Sequence, residues 1–460
     1  MSFSERIYTA LPIYWQNSIV SLYGYYWRNR RFGGHFENNL QEFKSREFWD
    51  NRQWNVFQER KLRTLLIHAY TTVPFYRDKY SNEGFQLEDF MNFKLEFLPS
   101  LPFLEKEELR EFGATTLLSE KKSKGSFYTS SGSTGTPTKI FFSPGFHRTW
   151  SAAFEVRYRH WAGVDRFNSR GMIGGRVVVP ANQVDPPFYR FNKAERQYYF
   201  SINHLSIHTV EAYTDAIRKS GIEYFTGYAN SVWLIAKFAL QKNIPPLSLK
   251  SVITSSEKLT VSMRHDIEKF YGCKVFDAYS GIEACGLISE CPCGTLHWSP
   301  DVGIMETLEV KAIDGNLSEL VCTGLLNFDQ PLIRYRIGDL VETSNNSICG
   351  CGRDFPIIKE IVGRTDDIVT LKDGRRLGSF NRFFADLNGI KKLQVIQNDY
   401  DEFHLNIVPT EGFNESTQAA IAESFQKRIG NVRLEINLVD EITTSKNGKF
   451  KAVISKVKHK

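Results

Sequence analysis

YTSSGSTGTPTKIFFS, residues 128–143, sets two β-prone aromatic runs on either side of a segment made almost wholly of serine, threonine and glycine. A flexible linker would not normally sit between two strand-like runs, SFYTS and KIFFS, so the stretch reads as a hairpin with a shaped loop. Gly132 and Gly135 let backbone N–H groups turn toward an anion. Ser131, Ser133 and Thr134 add hydroxyl donors, and Lys139 adds a cation. This chemistry suits a polyphosphate, but an ordinary polar hairpin uses the same residues. The spacing is neither that of a Walker loop nor that of a dinucleotide fingerprint.

Outward from the loop, residues 150–340 alternate strand-like runs such as KSVITSSEKL with helical ones such as TVEAYTDAIRKS and SVWLIAKFALQK. Such alternation builds α/β layers. GMIGGRVVVP, residues 171–180, reads as another buried strand. Residues 40–115 read as mostly helical, with a break at Pro74. After IVGRTDD the pattern shifts to a compact α+β segment. We therefore expect a large layered α/β domain over residues 1–362 and a small α+β domain over 363–460, with the boundary near Gly363.

The chain has 460 residues and a net charge of +6, with no basic run interleaved with aromatics, which argues against a nucleic-acid partner. Ile7 to Trp27 carries no charge and is followed by RNRR, residues 28–31. Pro12, Gln16 and Asn17 argue against a span, leaving a helix packed on the protein or a peripheral membrane contact. No secretory signal is apparent, so the seven cysteines point to a reducing cytoplasm, with the inner membrane face as a further option. Four of them form two C-x-C-G pairs, Cys291 with Cys293 and Cys349 with Cys351, a pattern suited to a closed tetrahedral zinc shell.

SSGSTGTPTK, TSSEKL, YSGIEA, RYRIGD, GRTDD and NGKFK follow one another in an order that resembles the adenylate-forming (acyl/aryl-CoA synthetase) superfamily. The block KLRTLLIHAYTTVPFYR, the form PLIRYRIGDL and the cysteine pairs are similar to its phenylacetate–CoA ligase-like branch, in particular the type associated with capsular polysaccharide biosynthesis. The resemblance implies an ATP-dependent ligase that joins a small-molecule carboxylate to AMP with release of pyrophosphate. The acyl group then passes to CoA, another thiol or an amine. It implies that the loop holds phosphates and that Glu283 helps hold Mg²⁺. Ser256, Glu257 and Tyr279 would line the adenine pocket, and Asp339 would accept from the ribose hydroxyls. Asp366, preceded by Arg364, would be the hinge, and Lys449 the catalytic lysine carried by the small domain. It also offers His297 as an alternative zinc ligand. One departure stands out: Ile282 occupies a position where the family has threonine. That loss leans toward a second reading, a non-catalytic nucleotide-binding relative.

Overall fold

The computed structural model describes residues 3–129, 138–176, 178–310, 317–344, 348–364, 369–372, 376–377, 389–442 and 453–457. Ser131, Gly132, Ser133, Thr134, Gly135, Asp366 and Lys449 lie outside them, as do the side chains of Arg364 and Arg376. The chain divides into two compact units. The first takes residues 1–305, 322–335 and 346–357, and the second takes 306–321, 336–345 and 358–460.

The first unit opens with helices α1 (Phe3–Ala10), α2 (Ile13–Phe32), α3 (Phe36–Ser45), α4 (Asn51–Thr72), α5 (Pro74–Asn82), α6 (Leu87–Met91) and α7 (Lys106–Phe112). A capping box starts α4: the Asp50 carboxylate accepts from Gln53 N at 2.8 Å, and the Gln53 amide oxygen accepts from Asp50 N at 3.0 Å. The helix stops at Val73 because Pro74 cannot donate to it, and Pro74 opens α5 instead. The hairpin expected from the sequence is present. Strands β1 (Ser126–Thr129) and β2 (Lys139–Phe142) pair antiparallel, with Thr129 opposite Lys139 at the base of the loop.

Helix α8 (Pro144–Phe154) leads to β3 (Arg170–Ile173), β4 (Tyr189–Asn192), β5 (Gln197–Phe200), α9 (Val210–Lys219), β6 (Tyr224–Tyr228), α10 (Ala229–Gln241), β7 (Ser251–Ser255), α11 (Val261–Tyr271), β8 (Val275–Tyr279), β9 (Ile288–Glu290) and β10 (Leu296–Trp298). These strands lie side by side in the order β10-β9-β8-β7-β6-β3-β5-β4. Pairing is parallel from β5 through β3, β6 and β7 to β8. The expected strand over residues 171–180 is shorter than its apolar run, since β3 ends at Ile173 ahead of Gly174 and Gly175. Val210, Tyr213 and Ile217 of α9, Val232, Ile235 and Ala236 of α10, and Ile267, Phe270 and Tyr271 of α11 pack with Phe225 and Val252 in one buried cluster. Burying such side chains supplies about 1.5–3 kcal/mol each before entropy is counted.

Strands β11 (Gly303–Glu309), β12 (Leu317–Gly324), β13 (Tyr335–Thr343) and β14 (Ile357–Arg364) follow in that spatial order. Within the second unit, β15 (Val369–Thr370) pairs with β16 (Arg376–Leu377). Strands β17 (Ile390–Asp399), β18 (Glu402–Pro409), β19 (Arg433–Leu438) and β20 (Val453–Ser455) form a sheet ordered β19-β18-β17-β20. Val395, Phe403, Leu405 and Ile407 of this sheet bury against Ile421, Phe425 and Ile429 of α12 (Glu415–Ile429). The fold is thus α/β with an α+β segment at the C-terminal end, as the sequence pattern implied.

Helix α2 lies along β4 with its polar residues inward. Gln16 Oε1 accepts from Arg190 Nε at 2.5 Å, Asn17 Oδ1 accepts from Phe191 N at 2.9 Å, and Ser21 Oγ accepts from Lys193 N at 3.0 Å. Gly24 permits the closest approach, since a Cβ there would stand 2.0 Å from Asn192 Oδ1. That oxygen is not loose: it accepts from Ala194 N at 3.1 Å, and the Asn192 amide donates to Glu195 at 3.2 Å. Gly24→Ala gains about 1 kcal/mol of helix propensity but overpacks a held side chain at a cost of about 1–3 kcal/mol. We expect a net loss of stability of up to about 2 kcal/mol, read as a lower denaturation midpoint at unchanged slope.

Candidate functional site

Parallel strands place their carboxyl ends together, and in open α/β sheets ligands bind in the crevice beyond those ends. Here Tyr228 of β6 stands opposite Ser255 of β7, and Ser255 opposite Ala278 of β8. Ser256 and Glu257 follow the end of β7, Tyr279 closes β8, and Glu283 lies in the turn after it. The sheet therefore brings these four sequence candidates to one edge of the first unit. Ser256 adopts a left-handed φ of 69°, which turns the chain sharply out of the strand. Glu257 accepts from Asn230 N, at the start of α10, at 3.0 Å. A carboxylate at a helix N-terminus is favoured by the positive end of the macrodipole, so Glu257 is held in place.

Glu283 meets the hairpin. Thr138 Oγ1 donates to Glu283 Oε1 at 3.5 Å, joining the residue that ends the Ser/Thr/Gly loop to the acidic turn after β8. Lys139 stands next to it, exposed, at the start of β2. Thr138 was not singled out from the sequence, although its place directly after Pro137 was the available signal. In the second unit, Asp339 is buried in β13 opposite Arg364 of β14, one residue after Gly338, whose φ is 79°.

A second missed residue is Asp277, two positions before Tyr279 on β8. Burial pushes its carboxyl up to about 7, and Glu290 adds to this, against the Thr254 hydroxyl and Arg264. Its backbone N–H donates to Glu290 Oε2 at 2.8 Å. Between about pH 4 and about pH 7 the native protein keeps a proton that the unfolded chain has lost, so stability falls as pH rises through this window. Asp277→Asn should flatten that fall, which thermal denaturation of both proteins at pH 5 and pH 8 would measure.

The cysteine pairs form two turns of the same kind. Gly294 N donates to Cys291 O at 2.9 Å and Gly352 N to Cys349 O at 3.2 Å, with φ of 82° and 72° at the two glycines. Cys291, His297, Cys349 and Cys351 bring their ligand atoms within 4.8 Å of one another. Cys293, expected as a ligand, is exposed and not in this group, while His297, on β10 and fully buried, is. Cys291 Sγ and Cys349 Sγ are 3.7 Å apart, too far for a disulfide. Cys351 Sγ and His297 Nε2 are 3.5 Å apart. Metal–ligand lengths of about 2.3 Å to sulfur and about 2.0 Å to nitrogen give tetrahedral edges of about 3.8 Å between sulfurs and about 3.5 Å from sulfur to nitrogen. The donor set and spacing therefore fit zinc. His297 Nδ1 lies 3.2 Å from Phe355 O, and since a carbonyl only accepts, Nδ1 carries the hydrogen and Nε2 presents its lone pair. Burial pushes the Cys291 thiol up. At Cys349 burial acts the same way, but hydrogen bonds from Thr295 and Cys351 oppose it, and that thiol is held below its usual range.

The model of the CapK C-terminal domain family matches residues 371–456. Protein CapK of Staphylococcus aureus is 26% identical over 466 aligned residues, covering 98% of this chain and 99% of that one. Similarity to Protein CapK and to phenylacetate–CoA ligases supports an adenylate-forming, phenylacetate–CoA ligase-like protein of the capsule type. The phenylacetate–coenzyme A ligase of Thermus thermophilus is 27% identical over 69% of this chain and 72% of its own. A crystal structure of 2-hydroxyisobutyryl-CoA ligase in the postadenylation state, in complex with R3-HIB-AMP, superposes with a TM-score of 0.69 at 19% identity. It covers 89% of this chain and 91% of its own, a likeness of fold.

The cluster makes a clear division between the two candidate fourth ligands. Zinc bound by this cluster would tie turns far apart in sequence, so His297→Ala and Cys349→Ser should then each lower bound zinc and the melting temperature together. Cys293→Ser should keep about one zinc per chain, measured by elemental analysis.

Proposed function

We propose that this protein joins a carboxylate to the α-phosphate of ATP, releasing pyrophosphate, and then passes the acyl group to CoA, another thiol or an amine. What carries the reading is the Thr138–Glu283 contact, which links the end of the Ser/Thr/Gly loop to an acidic turn beyond the parallel strands. In such a step the protein chiefly positions groups and balances developing charge. Backbone N–H groups and hydroxyls of Ser131, Gly132, Ser133, Thr134 and Gly135, with Lys139, receive the phosphates. The Glu283 carboxylate is the oxygen ligand for Mg²⁺, which supplies charge neutralisation when bound with ATP. Ser256, Glu257 and Tyr279 border the base, and Asp339 accepts from the ribose hydroxyls, an acceptor-only group suited to a vicinal diol.

Asp366, two residues after Arg364, serves as the hinge between the two half-reactions, and Lys449 acts in the first. Cys291, His297, Cys349 and Cys351 hold one structural zinc, a closed shell without an open coordination position. A role in capsular polysaccharide biosynthesis is supported by the likeness to Protein CapK over nearly the whole chain.

Pyrophosphate release with Mg–ATP across aryl, fatty, amino and sugar acids tests the proposal, and silence with every acid would favour the non-catalytic reading that Ile282 suggests. Lys449→Ala removes a cation from the developing charge and should slow adenylate formation by about 10²–10³-fold. The same variant should still consume a pre-made acyl-adenylate at near the original rate. Equal loss in both half-reactions would remove Lys449 from its assigned role.

A further inference from the structure

Helix α2 is amphipathic in the reverse sense for a helix on a soluble protein. Gln16 and Arg30 are buried, and Asn17 and Ser21 bond to β4 and its following turn. Tyr14, Trp15, Ile19, Leu22, Tyr23, Tyr25 and Tyr26 face outward, with Tyr14 74% and Leu22 70% exposed. Trp15, Ile19, Leu22 and Tyr26 are spaced by four, three and four residues, which keeps them on one stripe. An apolar stripe of this length, kept in water while the polar residues are turned inward, marks an interaction surface.

We propose that the outer face of α2 docks in plane on an anionic lipid bilayer surface. Five of the seven exposed side chains are Tyr or Trp, whose rings carry a polar edge and suit the headgroup boundary. Along the chain itself, from Ile7 to Phe36, the charge has one sign. No carboxylate occurs from Ile7 to Phe36, while Arg28 is exposed at the end of the stripe and exposed Lys193 adjoins Ser21. The nearby acid, Glu195, is buried and paired with Arg31 and Arg170. Each cation near an anionic surface favours binding, in a salt-dependent way. No helix among the described residues is long and apolar enough to cross a membrane, so α2 lies on the surface. Tyr, Trp and Arg also serve protein interfaces, so a second copy is kept as an outcome of the test, and the ring-rich stripe beside Arg28 and Lys193 is what favours a lipid headgroup layer.

The helix cannot roll away from this pose. Arg28 Nη1 donates to Ala194 O at 3.2 Å, and Arg30 Nη2 donates to Phe142 O at 2.7 Å. Burial, with Arg31 and Arg30 adding to it, pushes His147 down to about 3, so its neutral ring accepts from Arg30 Nε at 3.2 Å.

The test is flotation of the full chain with vesicles of phosphatidylcholine alone and of phosphatidylcholine mixed with phosphatidylglycerol. Co-flotation with the mixed vesicles, weakened by salt, is expected. Leu22→Glu/Tyr26→Glu should cut that binding by about tenfold or more while pyrophosphate release from Mg–ATP in buffer stays unchanged. Leu22→Ser/Tyr26→Ser serves if the charged pair alters melting. Absence of vesicle binding, or binding that neither double variant weakens, overturns the proposal. A concentration-dependent dimer that these variants dissociate, without vesicle binding, assigns the face to a second copy instead.

Discussion

The parallel hydrogen bonding that sets Tyr228 against Ser255 and Ser255 against Ala278 governs the candidate site of the first unit. A slip of one residue in β7 would turn its buried side chains to the opposite face and carry Ser256 and Glu257 away from Tyr279. The register is costly to change because β7 is buried along nearly its whole length, with Ser251 to Thr254 all inside. Helix α10 locks the arrangement from the other side, since the Asn230 N–H near its start donates to the Glu257 carboxylate. The chemistry beyond the strands thus rests on core packing that contains none of the candidate reactive groups.

How much of this was legible depended on whether the signal was local. The hairpin could be read because Phe127, Tyr128, Ile140, Phe141 and Phe142 are β-prone and Gly and Ser residues separate the runs. Helices α9 and α10 could be read from spacing, as their buried residues recur at helical period. The β3 region was over-read: an apolar run says that residues are buried, not that they are paired, and two glycines end the strand early. Unit membership of residues 306–321 and 336–345 has no sequence mark at all, because long-range contacts decide it.

The candidate site shows the same split. Two C-x-C-G turns pointed to a candidate metal cluster, and their similar geometry explains the repeat. Which side chains converge was beyond the spacing, since His297 reaches the cluster by way of strand β10, paired with β9, and Cys293 is exposed. The inverted polarity of α2 was equally hidden, because its polar partners lie on β4 and in the turn after it, far along the chain. Asp277 carried no motif. Its altered acidity comes from burial beside Glu290 across a strand pair.

That distance along the chain has a consequence during synthesis. Helix α2 emerges from the ribosome well ahead of its strand, since Ser21 bonds to Phe191 O, 170 residues later. At the usual pace of translation, roughly 5–20 residues per second, the helix waits on the order of ten to thirty seconds for its strand. Throughout that interval its inward face lacks its final protein partners, and the Tyr- and Trp-rich stripe is open to the surroundings of the nascent chain. A chaperone or a lipid surface met in that interval would meet the same side chains that the finished protein leaves exposed.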